Sequence, residues 1–165
     1  MFFSKALIEG LGISVIMCMW IAIILKINPR YEMKSYPKKI INEVSPQTEE
    51  EKKRFLKIAL PMMLIIIIGI VYFIYRDYKN IDISYITLFL HSFVVFQVWN
   101  IFDLFIMDWL IFCTIQPKFM IMPGTEGNPA YKDYKYHFVG FLKGIIISII
   151  GAVIISAIVF LILST

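Results

Sequence analysis

Residues 83–115 read ISYITLFLHSFVVFQVWNIFDLFIMDWLIFCTI. At about 1.5 Å per residue in a helix, this 33-residue run is more than long enough to cross a bilayer core of about 30 Å. It is mostly apolar, yet it carries His91, Gln97, Asn100, Asp103 and Asp108. Polar and ionisable groups inside a spanning helix are costly, turn toward the bundle interior and mark ligand, ion or proton sites. The stretch therefore points to a membrane protein and to where its function resides.

The rest of the chain agrees with a membrane class. Of 165 residues, 59% are hydrophobic and the mean hydropathy is +0.77, against roughly 45–50% apolar in a soluble domain. Three further apolar runs lie at about residues 6–27, 55–75 and 144–163, leaving loops at 28–54 and 116–143. Asn28-Pro29 and Gln116-Pro117 end the first and third runs, because proline disfavours the helical conformation in the residue before it. Pro61 lies one turn inside the second run, where it predicts a mild kink. The expected fold is an all-α membrane domain of four transmembrane helices covering residues 1–165. No A-x-A-like site follows Ile27 and no lipobox precedes Cys18, so the first run reads as an uncleaved span.

Charge sets the orientation. Lys26, Arg30, Lys34, Lys38, Lys39, Lys52, Lys53, Arg54 and Lys57 flank the first two runs on one side, joined there by Lys118, Lys132, Lys135 and Lys143. Only Lys5, Arg76 and Lys79 fall on the other side. The positive-inside rule makes the first side cytoplasmic and puts both termini outside a cell membrane. The net charge of +4 is explained by topology and lipid contact without nucleic acid. Cys18 and Cys113 lie in apolar runs with no C-x-x-C partner and read as small buried side chains.

The first loop reads as solvated. Thr48 and Glu51 form a capping-box pattern at the start of a helix that continues into the second span. In the second loop, Pro123-Gly124 and Gly127 signal turns, and Asn128-Pro129 is a cap followed by proline at the first helical position. Tyr131, Tyr134, Phe138 and Phe141 follow at helical spacing, which predicts an interfacial helix before the last span.

The two halves resemble each other. Ile27-Asn28-Pro29-Arg30-Tyr31 matches Ile115-Gln116-Pro117-Lys118-Phe119, and Phe55-Leu56-Lys57 recurs as Phe141-Leu142-Lys143. The expectation is two parallel-repeat helical hairpins related by an axis along the membrane normal. Small residues recur every four positions at Ala6, Gly10, Ser14, Cys18 and Ala22, and at Gly140, Gly144, Ser148, Ala152 and Ser156. Such ridges let helix backbones approach closely. A homo-oligomer or partner-subunit face is their competing use.

On an α-helix at about 100° per residue, Gln97, Asn100, Asp103 and Asp108 share an arc of about 140° and form the expected ligand-binding face, with His91 off it. Counting from Pro117, Asp108 lies about 13 Å and Asp103 about 21 Å from the helix end. The two aspartates, about 140° apart, cannot share one metal ion without a kink, so no metal site is expected. His137, Glu126 and Lys143 approach from the second loop, with the Pro123–Gly127 turn as a lid over a cavity floored by Asp108. Catalytic patterns are missing: no spaced aspartates of CDP-alcohol transferases, no lipid-phosphatase Pro-Ser-Gly-His, no Gly-x-Ser-x-Gly, His-Glu-x-x-His, P-loop or EF-hand. No cofactor is indicated. Three readings stand. One is a transporter-like site for a small polar or cationic ligand, a proton or a lipid head group. The second is a membrane enzyme acting on a lipid-linked substrate, with Asp108, His137 and Glu126. The third is an accessory subunit without a site.

Overall fold

Four helices in the computed structural model, which describes residues 2–165, are long and apolar enough to cross a membrane. In chain order, α1 is Phe2–Ile27, the single turn α2 is Lys38–Ile41, and α3 is Glu49–Tyr78. Then come α4, Tyr85–Phe102, continued by a π-helical segment over Asp103–Ile115, and α5, Tyr134–Ser164. No strand occurs among the described residues. Ile8, Ile68, Ile86 and Ile147, one on each long helix, are between 61% and 70% exposed. An outer surface this apolar is a liability in water and fits lipid. Both termini lie at one end of the bundle (the terminal end), and the two long loops lie at the other (the loop end).

Local sequence sets the helix limits. The Thr48 hydroxyl accepts from Glu51 N, and the Glu51 carboxylate accepts from Thr48 N, which completes the capping box. Asn28 ends α1 in extended conformation, and its side chain caps a 3-10 helix over Pro29–Ser35. Gln116 ends the third span in the left-handed region, with φ 51°. α3 continues through Pro61. The aromatic helix predicted from Tyr131 onward is divided. Asn128 caps a 3-10 turn over Pro129–Lys132, and Asp133 then starts α5 by accepting from Tyr136 N.

The third span departs most from expectation. From Asp103 its backbone hydrogen bonds close over five residues, and at its end Gln116 N donates to Ile111 O at 2.8 Å. π-helical turns are rare and concentrate at functional sites. Nothing in residues 103–115 announces the change.

α4 is the centre of the packing. The small ridge of α1 seats on it: a Cβ added at Gly10 would lie 2.7 Å from Val98 Cβ and 3.1 Å from Val95 O. The ridge of α5 seats on its other side, where a Cβ at Gly144 would collide with the Asn100 carboxamide. Ala6, Ser14, Ala152 and Ser156 are fully buried. The middle of each ridge is thus covered within one chain, while Gly140 at the start of the α5 ridge stays exposed.

α3 stands apart. Near the terminal end, its Ile70, Ile74 and Tyr78 pack on Leu88 of α4 and on Ile155 and Val159 of α5. Toward the loop end it is held from the side of α1, by the Arg30–Glu51 ion pair at 2.7 Å and by Tyr31 against Phe55. Between these anchor points α3 and α5 diverge.

The loops are more folded than a solvated reading implies. Met33, Tyr36 and Ile40 of the first loop are buried with Met120, Met122 and Tyr131 of the second. Tyr36 Oη donates to Met120 O at 2.8 Å, and Tyr131 Oη accepts from Met122 N at 2.9 Å. Aromatic and methionine side chains outside the long apolar runs supply this second core, which caps the loop end.

Candidate functional site

The divergence of α3 from α5 opens a cavity of about 1170 Å³. This exceeds the roughly 300–1,000 Å³ of most small-molecule sites. Toward the terminal end its walls are apolar, with Ile13, Ile66, Ile67, Ile70, Ile154 and Ile155. At the loop end they are polar: Glu32 and Lys34 from the first loop, Asn100, Asp103 and Asp108 from the third span, and His137 and Lys143 from α5. Leu56, Leu60 and Met63 of α3 and Ile147, Ile154 and Ile158 of α5 line the cavity while remaining exposed on the outer surface. The cavity therefore opens sideways between these helices, onto the apolar outer surface.

Three of the four expected ligand-binding residues, Asn100, Asp103 and Asp108, line this cavity. Asp103 and Asp108, expected at the two edges of one broad face, are brought closer together around the helix by the i→i+5 ladder. A coil with more residues per turn also rises less per residue, so both carboxylates lie nearer the loop end than the α-helical depths of about 21 Å and about 13 Å. Gln97 does not line the cavity. It accepts from Asn100 Nδ2 at 3.5 Å, and its own amide nitrogen is buried without a partner. No group of three or more His, Cys, Asp or Glu among the described residues is arranged to hold a metal ion.

Asp108 and His137 pair at 2.9 Å through Asp108 Oδ1 and His137 Nδ1. This fixes the proton of a neutral imidazole on Nδ1 and leaves Nε2 with a lone pair. His137 is 5% exposed, packs on Phe112, and its Nε2 has no hydrogen-bond partner. Asn100 Nδ2 donates to Phe141 O at 3.2 Å, which pins the third span to α5 just above Asp103. The side chains of Asp103 and Lys143 form no hydrogen bond or ion pair among the described residues. Burial pushes the carboxyl of Glu32, at the rim, above its ordinary value.

Glu126 is elsewhere. Its carboxylate accepts from Gly124 N at 3.0 Å within its own exposed turn. The Pro123–Gly127 turn does not line the cavity and is not its lid. Thr125 anchors the turn to Tyr131 at 2.7 Å inside the loop core. The rim is instead formed by Glu32, Lys34, Ser35 and Tyr36 of the first loop.

A second polar centre lies at the terminal end. His91 is fully buried, and its Nδ1 meets Tyr78 Oη at 2.8 Å while its Nε2 meets Glu9 Oε2 at 2.9 Å. Lys5 pairs with Asp77 at 3.0 Å, and Arg76 does so at 2.9 Å. These contacts join α1, α3 and α4 where the cavity is closed. The residues that sequence reasoning passed over are Glu9 and Tyr78. The available signal was a carboxylate one turn or two inside the first span, with His91 at a similar depth in the third.

The chain matches no protein-family model, no curated protein and no solved structure.

Proposed function

We propose that this multi-pass membrane protein admits an amphiphile sideways from the bilayer, between α3 and α5, and holds its polar end at Asn100, Asp103 and Asp108. The observation that carries this reading is the two-part cavity: apolar toward the terminal end, polar at the loop end, and open to the apolar outer surface along one side. Asp103 supports it, since a carboxylate at membrane depth without a partner is costly and a ligand would supply one. By the distribution of Lys and Arg, the polar end faces the cytoplasm of a cell membrane and both termini lie outside. The matching Asn28-Pro29 and Gln116-Pro117 junctions, each leading into a 3-10 turn, support descent of the two hairpins from a repeat.

Gly140 offers the test. It lines the cavity, and a Cβ there would meet nothing within 4 Å. Protein extracted in mild detergent should retain lipid in native mass spectra, and Gly140→Phe should reduce the retained fraction several-fold without unfolding the protein. Equal retention in both, or none in the wild type, would sink the proposal. For orientation, a cysteine at Lys79 should react with an impermeant maleimide in intact cells, and one at Lys39 only after permeabilisation.

A second reading has one specific observation in its favour. The Asp108–His137 pair is the arrangement of an oriented general base, which an enzyme acting on a lipid-linked substrate would use. Glu126 has no part in it. Turnover of a bound lipid, lost in His137→Gln, would decide for this reading.

A further inference from the structure

We infer that the cavity's occupant is a zwitterionic phospholipid of the loop-side leaflet, its phosphate at Lys143 and its amine at Asp103. The inference rests on the reading of the cavity as a lateral amphiphile site and goes on to assign the head group.

The order of charges along the cavity carries it. α4 and its π-helical continuation run toward the loop end, while α5 runs away from it. Asn100 sits opposite Phe141 and Gly144, and Asp108 sits opposite His137. From the apolar chamber toward the loops, a ligand therefore meets Lys143 and Asn100 first, then Asp103, then Asp108 with His137. A phospholipid inserted with its chains in the chamber presents its groups in the same order: chains, then phosphate, then the terminal amine. Lys143 and Asp103 both line the cavity next to the apolar chamber, and neither forms an ion pair among the described residues; Glu32 and Lys34, likewise without an ion pair, line it farther out at the rim. Asp108 is already engaged by His137. An anionic glycerol head would satisfy Lys143 and leave Asp103 unpaired. A simple cation would satisfy Asp103 and leave Lys143 without an anion. A zwitterion with phosphate above amine complements both. The buried His137 Nε2, which has no partner among the described residues, adds an unsatisfied polar atom at the amine end.

Trp20 and Trp99 line the cavity and Trp109 does not, and these are the three tryptophans of the chain. The full chain carrying Trp109→Phe, in non-quenching detergent, can therefore be titrated with phospholipids whose acyl chains are brominated, which quench tryptophan on contact. Phosphatidylethanolamine should quench at about tenfold lower concentration than phosphatidylglycerol with the same chains, the scale of one charge-assisted hydrogen bond. Asp103→Asn should erase that preference, Asp103→Glu should restore much of it, and Lys143→Gln should weaken both lipids. Free phosphoethanolamine at millimolar concentration should leave the quenching unchanged, and displacement by it would overturn a lipid as the source. Equal quenching by both lipids, unaltered in Asp103→Asn, would overturn the head-group assignment while the lateral site stands. Absence of saturable quenching by either lipid would overturn both.

Discussion

Asp103 and Asp108 lie five residues apart and line one cavity, brought closer around the helix by the change of the third span from an α- to a π-helical ladder at Asp103 itself. Among the described residues only the Asp108 carboxylate of the two has a partner, His137 at 2.9 Å. Asp108→Ala should therefore cost about 1–3 kcal/mol, because it leaves a buried imidazole nitrogen without its acceptor. Asp103→Ala, which breaks no internal hydrogen bond, should cost less. Unfolding of each variant in a denaturing detergent titration gives the comparison. A double-mutant cycle with His137→Ala should return a coupling of about 0.5–3 kcal/mol for Asp108 and close to none for Asp103.

At the opposite end, Tyr78, His91 and Glu9 form a buried chain across three helices. Tyr78→Phe keeps the ring that packs edge-on to His91 at 5.4 Å and removes only the hydroxyl. It should destabilise by about 1–2 kcal/mol. Because Tyr78 anchors α3 where the cavity is closed, hydrogen exchange in the last turns of α3 should accelerate more than in the first turns. Uniform acceleration along α3 would show that this contact is not the hinge.

What could be read from the residues, and what could not, divides along physical lines. The presence of four long apolar helices, the Asn28-Pro29 and Gln116-Pro117 ends of two of them and the Thr48 cap follow from local chemistry. The pairing of Asp108 with His137 was accessible because both groups sit near the loop end of adjacent spans. The broad face carrying Asp103 and Asp108 could be read at α-helical pitch; the narrower angle between them could not, because periodicity assumes one helical pitch and residues 103–115 adopt another. The burial of Tyr36 and Tyr131 was equally hidden, since it depends on two loops 84 residues apart in the Tyr36–Met120 contact. The divergence of α3, which makes the cavity, is a property of packing among apolar surfaces that all read alike.

Close approach should separate the glycines of α5. Gly144 lies against the Asn100 side chain, whereas Gly140, one turn earlier, borders open space. Gly144→Ala should push α5 from α4 and cost about 1–3 kcal/mol by overpacking. Gly140→Ala should be neutral or stabilising by up to about 1 kcal/mol, because alanine replaces glycine inside a helix without a clash. Thermal unfolding of the two variants side by side tests the assignment of α4 as the packing centre, and equal losses would contradict it.

Glu51 ties the start of α3 to the end of α1. Its carboxylate receives Arg30 Nε at 2.7 Å, Thr48 N at 2.8 Å and Asn28 Nδ2 at 3.3 Å. The Arg30 hydrogen bond, reinforced by the Thr48 amide, lowers its pKa from the ordinary 4.5 to about 2. An acid depressed in the folded state lends stability that is complete above its unfolded pKa and lost as pH falls through the folded one. The contribution should hold from neutral pH to about 5 and disappear between about 4.5 and 2. Glu51→Gln should remove about 1–2 kcal/mol at pH 7 and nothing further at pH 2, through loss of the cap and of the charged partner. Since Arg30–Glu51 is the tie that holds α3 at the loop end, acid or Glu51→Gln should also widen the cavity mouth. Spin labels at Leu60 and Ile147, on its two sides, would report a longer distance at low pH in the wild type and a long, pH-independent distance in Glu51→Gln.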